Sequence, residues 1–501
     1  MIQIIAQQEE LRPVLPTIEG NVHYQEFRAQ LLRIDELLLY GGVQADFVRE
    51  SLAYWSAQTE QPMKNVSVKQ QEKLQQYSIR ALRCNIVRVL LQESRRDISC
   101  HLADSALLQR FCGIDRIDVV RVPSKSAIDR YSRWLPPERI RVILDALLSR
   151  AGIDAKADQG QPLDLAEPID LETCFVDTTC VKANIHFPVD WVFLRDASGT
   201  LMQATELIRR HGLHHRMRPP QEFLSAMNKL CIQMSHARRK SDSNRQRKAI
   251  LRLMKKLLKI VRGHARRHRD LLDRCWRQTD WTRAQAEQVL RRIDSVLELL
   301  PRAIKQAHER IIGSRSVANA DKLLSLYERD TRVIIRGKSD AEVEFGNTLL
   351  LAELPSGLIA DWQLYQQQAP ADAQLLQPSI QRLRHGMAAH TLATVVADRG
   401  FDSQANARWL QAEGIRNGLC PRSPEQLSQQ QRDKNFCQMQ KRRAQTEARI
   451  SIFKNQFLGR PLRAKGFSHR EQGVAWGVLA HNLWVLARLP KASATAQAQA
   501  A

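Results

Sequence analysis

Apolar residues recur at helical spacing almost without a break from residue 220 to residue 325, and strand-like runs lie on both sides of that stretch. Few glycines interrupt it, and Ile250, Leu253, Leu257, Ile260 and Val261 form an apolar stripe. A chain that starts a sheet, leaves it for roughly a hundred helical residues and then returns is constrained to one class of fold. The expectation is a mixed α/β sheet interrupted by a helical bundle or hairpin at about 215–325.

The strand side of this reading rests on Val-, Thr- and Ile-rich runs. Thr173–Ile185 precedes the helical stretch, with a short helix expected around Ala204–His211; Arg332–Arg336, Val343–Leu354, Leu358–Tyr365 and Thr394–Asp398 follow it. Helices are expected at Asp372–Arg384, Asn406–Glu413, Arg442–Phe457 and Gly473–Leu489, and Ser423–Lys434 reads as a loop or an exposed helix. Trp476 and Trp484 on the last helix read as core residues, and Asp190, Asp196 and Asp402 as turn or surface residues.

Residues 1–160 read as a helical N-terminal domain, with helices at Glu26–Tyr40 and Gln70–Glu93 and a short amphipathic one ending at Gly113. A strand-like stretch, Ile117–Val122, precedes a helix that Ser124 caps and Pro136-Pro137 ends. That pair of short helices fits a helix-turn-helix, whose second member carries Lys125, Arg130 and Arg133 as candidate DNA contacts. Gln159–Glu167 is a Gly/Pro/Asp-bearing linker, residues 168–489 form the second domain, and the Ala/Gln-rich tail 490–501 reads as disordered.

Charge narrows the function. The chain has 501 residues, a net charge of +23 and a pI near 10.0, which points to a polyanionic partner. Residues 1–60 hold nine acids and four bases, so the excess lies elsewhere. It peaks between Arg238 and Arg274, where fifteen Lys or Arg face three Asp; this basic face reads as solvated surface or as a face that tracks DNA. Nine scattered cysteines with no Cys-x-x-Cys pair argue against a disulfide framework or a zinc site. With no signal-peptide pattern and no apolar run long enough to span a bilayer, a cytoplasmic, nucleoid-associated protein without membrane contact is expected. No phosphate-cradling Gly-rich motif argues for ATP use.

Three acids stand out against this basic background. Asp177 lies mid-strand in Phe175-Val-Asp-Thr-Thr-Cys180, where an unpaired carboxylate is costly. Asp398 closes Val395-Val-Ala-Asp398 before Arg-Gly, at a strand end where ligands commonly bind. Glu447 sits in Arg443-x3-Glu447-x6-Lys454, and an ideal helix would project all three side chains from one face. Taken singly, Asp398 reads as a turn residue and Glu447 with Arg443 as a surface ion pair. Together, three carboxylates can hold two divalent ions roughly 3.5–4 Å apart, the clamp that phosphodiester chemistry uses.

These motifs resemble those of bacterial insertion-sequence DDE transposases. Asp177-Thr-Thr, Asp398-Arg-Gly-Phe and the Arg443/Glu447/Lys454 run are similar to that family's three acid motifs, with Asn184–Asp190, Val343–Gly346 and Asn482-Leu-Trp484 as supporting text. Gln440 stands where the signature has Tyr. The resemblance implies a ribonuclease-H-like mixed sheet with Asp177 on the first strand, Asp398 on the fourth and Glu447 on the following helix. It further implies catalysis and metal ligation by these three acids with two Mg²⁺ or Mn²⁺ ions. Arg443 and Lys454 would hold DNA. The expected partners are double-stranded transposon ends and target DNA, and the expected active form is a homodimer. A catalytically silent DNA-binding regulator and a structure-selective nuclease are the alternatives.

Overall fold

The computed structural model describes residues 4–5, 11–153, 162–237, 242–338, 341–386, 392–459 and 461–492. Seven helices come first: α1 (Val22–Leu39), α2 (Val43–Thr59), α3 (Val68–Leu90), α4 (Asp97–Asp104), α5 (Ala106–Phe111), α6 (Lys125–Ser132) and α7 (Pro137–Ala151). Side chains close the N-terminal ends of four of them, Asn21 for α1, Ser67 for α3, Ser105 for α5 and Ser124 for α6. Buried Arg83 of α3 donates to Asp35 at 2.6 Å, Gln44 at 2.7 Å and the Phe111 carbonyl at 2.7 Å, tying α1, α2 and the end of α5 together.

Two expectations for this region fail. Residues 117–122 form no strand; Ile117 and Val119 are exposed, and no neighbouring strand takes their backbone groups. The helix-turn-helix is also not formed, because residues 112–124 separate α5 from α6 where the motif needs a turn of three or four residues. Ser124 does cap α6, its hydroxyl accepting from the Ala127 amide at 3.3 Å, and Pro137 opens α7.

Next comes β1 (Thr173–Lys182), then α8 (Asp190–Arg210), α9 (Pro220–Ala237), α10 (Ser243–Cys275) and α11 (Arg283–Ala307). The chain returns through β2 (Arg332–Lys338), β3 (Ala341–Glu353) and β4 (Ile359–Leu364). It ends with α12 (Asp372–Gly386), β5 (Thr394–Ala397), α13 (Gln404–Ala412), β6 (Arg416–Leu419), α14 (Pro424–Gln430), α15 (Lys434–Ile452) and α16 (Phe467–Leu486). The six strands form one sheet in the order β2-β3-β1-β5-β6, with β4 also paired to β3. β1, β5 and β6 run parallel, whereas β2, β3 and β4 pair antiparallel. Asp398 therefore follows the fifth strand of the chain, not the fourth, and β6 was not anticipated. Its Arg-Asn-Gly-Leu sequence carries no alternation to mark it.

The chain divides into two compact units. One comprises residues 1–181, 348–365 and 369–501, the other residues 182–347 and 366–368. In the first, residues from α1–α7 bury side chains in one core with β1, β4, β5, α12 and α16. Trp476 is fully buried there, its indole N–H donating to the Ser132 carbonyl at 3.0 Å, while Trp484 packs against Phe457 and Arg488. At its chain end Pro490 accepts from the Ala166 amide; the tail from residue 493 lies outside the described residues.

The second unit has its own core, built by α8, α9, α10 and α11. The short helix expected near Ala204–His211 is the end of the 21-residue α8. On α10 the buried row is Leu251, Met254, Leu258, Val261 and Ala265; of the expected stripe Val261 is buried, Ile250 and Leu257 are partly buried against the core, and Leu253 and Ile260 are half in water. The helix carries two adjacent apolar rows, and packing chose the other one. Asp190 is likewise no surface residue. It is buried at the start of α8, where Gln306 donates at 2.8 Å and Arg310 at 2.8 and 3.0 Å. Among the described residues no helix is long and apolar enough to cross a membrane, and all nine cysteines are free thiols.

Candidate active site

β1 and β5 pair in parallel, Thr173 opposite Thr394 through Val176 opposite Ala397. Extending that register by one residue sets Asp398 beside Asp177 on the neighbouring strand, about 4.8 Å away across the ladder. Adjacent strands in register point such side chains to the same face. Thus two acids 221 residues apart in sequence become neighbours through strand pairing. The Thr178 amide donates to Asp177 at 2.7 Å, and the Gly400 amide donates to Asp398 at 2.8 Å. Arg422 clamps the turn after Asp398 by donating to the carbonyls of Arg399 and Gly400, while its amide donates to Asp402.

Gly400 also reveals an acid that sequence reading passed over. A Cβ there would stand 3.0 Å from an Asp398 oxygen and 2.7 Å from an Asp372 oxygen, so both carboxylates crowd this glycine. Asp372 opens α12 and accepts from the Thr178 hydroxyl at 3.2 Å. An acid in the first turn of a helix is common enough that nothing in the sequence singled it out.

Glu447 comes from α15, and the placement of that helix has an identifiable cause. Arg442 and Arg449, two turns apart, both donate to buried Glu353 at the end of β3, at 2.9 and 2.6 Å. Arg442 also lies 4.7 Å over the Phe175 ring of β1 and donates to the Pro355 carbonyl. Gly357 makes room for Arg449: its φ is +96°, and a Cβ would lie 2.7 Å from the guanidinium. With Arg442, Thr446, Arg449 and Ile450 turned toward the sheet, Arg443 and Glu447 fall on the flank of the helix. Glu447 is exposed and Arg443 half-buried.

Lys454 lies elsewhere. It is 5% exposed and donates to the Thr179 hydroxyl of β1 at 3.0 Å, so it does not project into solvent with Glu447. The expected common face assumed 3.6 residues per turn, but Phe453–Leu458 widen into a π-helical turn. Gln440, which replaces the aromatic residue of the family signature, bridges two elements. It donates to the Gly418 carbonyl of β6 at 2.8 Å and accepts from Arg443 at 3.1 Å. Lys125 and Arg130 are exposed on α6, which packs on α3 through the bond from Asn85 to the Tyr131 carbonyl.

The acids sense one another. Asp177 is pushed up to about 6, first by burial, then by the negative charge of Asp398 and, less, of Glu447; the Thr178 amide and Arg443 act in the opposite direction. Two like charges and one cation therefore act on a single carboxyl group. Among the described residues, no group of three or more His, Cys, Asp or Glu side chains is drawn up to hold a metal ion.

A family model described as the transposase DDE domain matches residues 349–483, which include Asp398, Arg443, Glu447 and Lys454 but not Asp177. No curated protein and no solved structure matches the chain. The acid motifs with their local sequence and the matched region agree: residues 349–483 are similar to a transposase DDE domain.

Proposed function

We propose that the protein is a DNA transposase that cleaves DNA at transposon ends and joins the freed 3′-hydroxyls to target DNA. The observation that carries this reading is the shared electrostatic field of Asp177, Asp398 and Glu447, drawn from β1, the end of β5 and α15. Such a field is costly for folding, because burial and the two neighbouring charges disfavour ionisation of Asp177. It is useful where cations and phosphate must be held. The pairing of parallel β1 and β5 beneath a helix that supplies the third acid supports the ribonuclease-H-like reading of the sheet.

Hard carboxylate oxygens suit Mg²⁺ or Mn²⁺, and a cation beside buried Asp177 would offset both its burial and the charges of Asp398 and Glu447. Asp177, Asp398 and Glu447 would hold two ions, with exposed Glu447 swinging in from its helix flank. Bound ions of this kind supply charge stabilisation for the attacking and leaving oxygens. Arg443, steadied by Gln440, would grip a DNA phosphate beside the acids. Buried Lys454 fits better as a support for β1 through Thr179. Lys125 and Arg130 remain candidates for contacts to the transposon ends, through their exposure on α6 and not through a helix-turn-helix. A homodimer would bring two DNA ends together, with both cleaved before joining.

The test uses the DNA flanking the coding region as substrate, with Mg²⁺. Asp398→Asn and Glu447→Gln should each abolish end cleavage while leaving binding to those ends intact. Cleavage at the wild-type level by either variant would overturn the assignment.

A further inference from the structure

α10 is a 33-residue helix whose buried row faces α8, α9 and α11. On its opposite side Arg245, Arg252, Lys256, Lys259 and Arg266 are all exposed. At 3.6 residues per turn the five fall within about 80° of one another, along about 32 Å of helix axis. No acid occurs between Asp242 and Asp270. The side chains of these five make no hydrogen bond or ion pair with any described residue. Lys248/Arg252, Arg252/Lys256 and Arg262/Arg266 are like charges four residues apart, an arrangement that destabilises an isolated helix. Cations elsewhere in this unit are paired: Arg283 of α11 with Glu287 at 2.9 Å, and Arg269, nearer the end of α10, with Asp273 and Asp294. The repulsion along α10 is left for something outside the chain to relieve.

We propose that this row is a docking surface for the phosphate backbone of double-stranded DNA. The choice of polyanion rests on the transposase reading above. The row is about as long as one turn of B-DNA, roughly 34 Å, and a duplex presents one phosphate per ~1.7 Å of axis. A straight row of cations along a straight rod therefore reads charge and not base sequence, and the binding is sequence-independent and salt-sensitive. Leu253 and Ile260 lie exposed beside the row and make an anionic membrane the competing partner.

The test measures binding of the full chain to a duplex of about 40 base pairs lacking element ends, in EDTA, between about 50 and 200 mM KCl. EDTA suppresses metal-dependent cleavage, so failure of the transposase reading and failure of this surface are separate results. The variant carrying Arg252→Gln, Lys256→Gln, Lys259→Gln and Arg266→Gln should bind at least about tenfold more weakly at ~0.1 M salt. Its salt slope should fall by about 3 to 4, at ~0.9 per phosphate contact. Arg252→Lys with Arg266→Lys should keep the slope. Each single Gln substitution should lower it by about one, which keeps the test open if the fourfold variant fails to fold. An unchanged slope in the folded fourfold variant overturns the proposal. So does a variant that loses binding to phosphatidylserine vesicles while its duplex binding is intact.

Discussion

In the unit formed by residues 1–181, 348–365 and 369–501, buried charges have partners. Fully buried Asp361 on β4 accepts from Arg382 at 2.7 and 3.1 Å and from Ser379 at 2.7 Å, and is also bound by Arg141. Glu353 holds Arg442 and Arg449 in the same way. In the unit of residues 182–347 and 366–368, buried Asp190 is held by Arg310 and Gln306. Much of that unit's positive charge lies on α10, whose exposed cations between Asp242 and Asp270 have no carboxylate among them in the helix. The difference separates two uses of charge. Paired and buried, it fixes helices against a sheet so that acids meet at defined positions. Exposed and unpaired, it is available to a partner.

The largest effect should come from breaking a buried pairing. Asp361→Ala strands Arg141 and Arg382 and should cost about 3–5 kcal/mol, read by chemical denaturation. A loss below about 1 kcal/mol would mean that the paired charges do not organise this unit.

A similar effect should follow acidification. His481 is buried between Phe453 and Phe457, and burial lowers it to about 4. The unfolded chain takes up that proton as pH falls below about 6.5, whereas the folded chain resists until about 4. Stability should therefore drop by about 3 kcal/mol between those values, and His481→Asn should flatten that part of the pH–stability curve. A curve identical to that of the parent protein would exclude His481 as its cause.

A smaller effect of opposite sign is expected at the acids. Because the folded state raises Asp177 to about 6, its ionised form costs stability above that pH, and the cost fades as pH falls toward 4. In EDTA, Asp177→Asn should raise the melting temperature at pH 7.5, corresponding to about 1–3 kcal/mol, with the gain vanishing near pH 4. A destabilised variant at pH 7.5 would show that the acids do not repel as described. The smallest effect belongs to α10, where Lys256→Gln should change stability by less than about 0.5 kcal/mol. A loss of several kcal/mol there would contradict an unpaired surface charge.

Much of the site could be read before any coordinates. Asp177 and Asp398 were recognisable because an acid inside or ending an apolar strand run is locally anomalous. Glu447 was recognisable from its flanking cations. Asp372 was not, since its proximity to Asp398 depends on the turn at Gly400. Nor were Arg442 and Arg449, which look like surface cations until Glu353 arrives from β3.

The amino-acid order alone determined where most helices and strands form, β6 and the unformed strand at 117–122 excepted, because hydrophobic periodicity and end signals act over a few residues. It also marked three acids and a strongly basic helical stretch. Tertiary structure decided which of two apolar rows on α10 turns inward, and that a π turn carries Lys454 into the protein. It also decided that parallel pairing of β1 with β5 makes neighbours of Asp177 and Asp398. Each of those outcomes depends on a partner distant in the chain, and local spacing carries no information about distant partners.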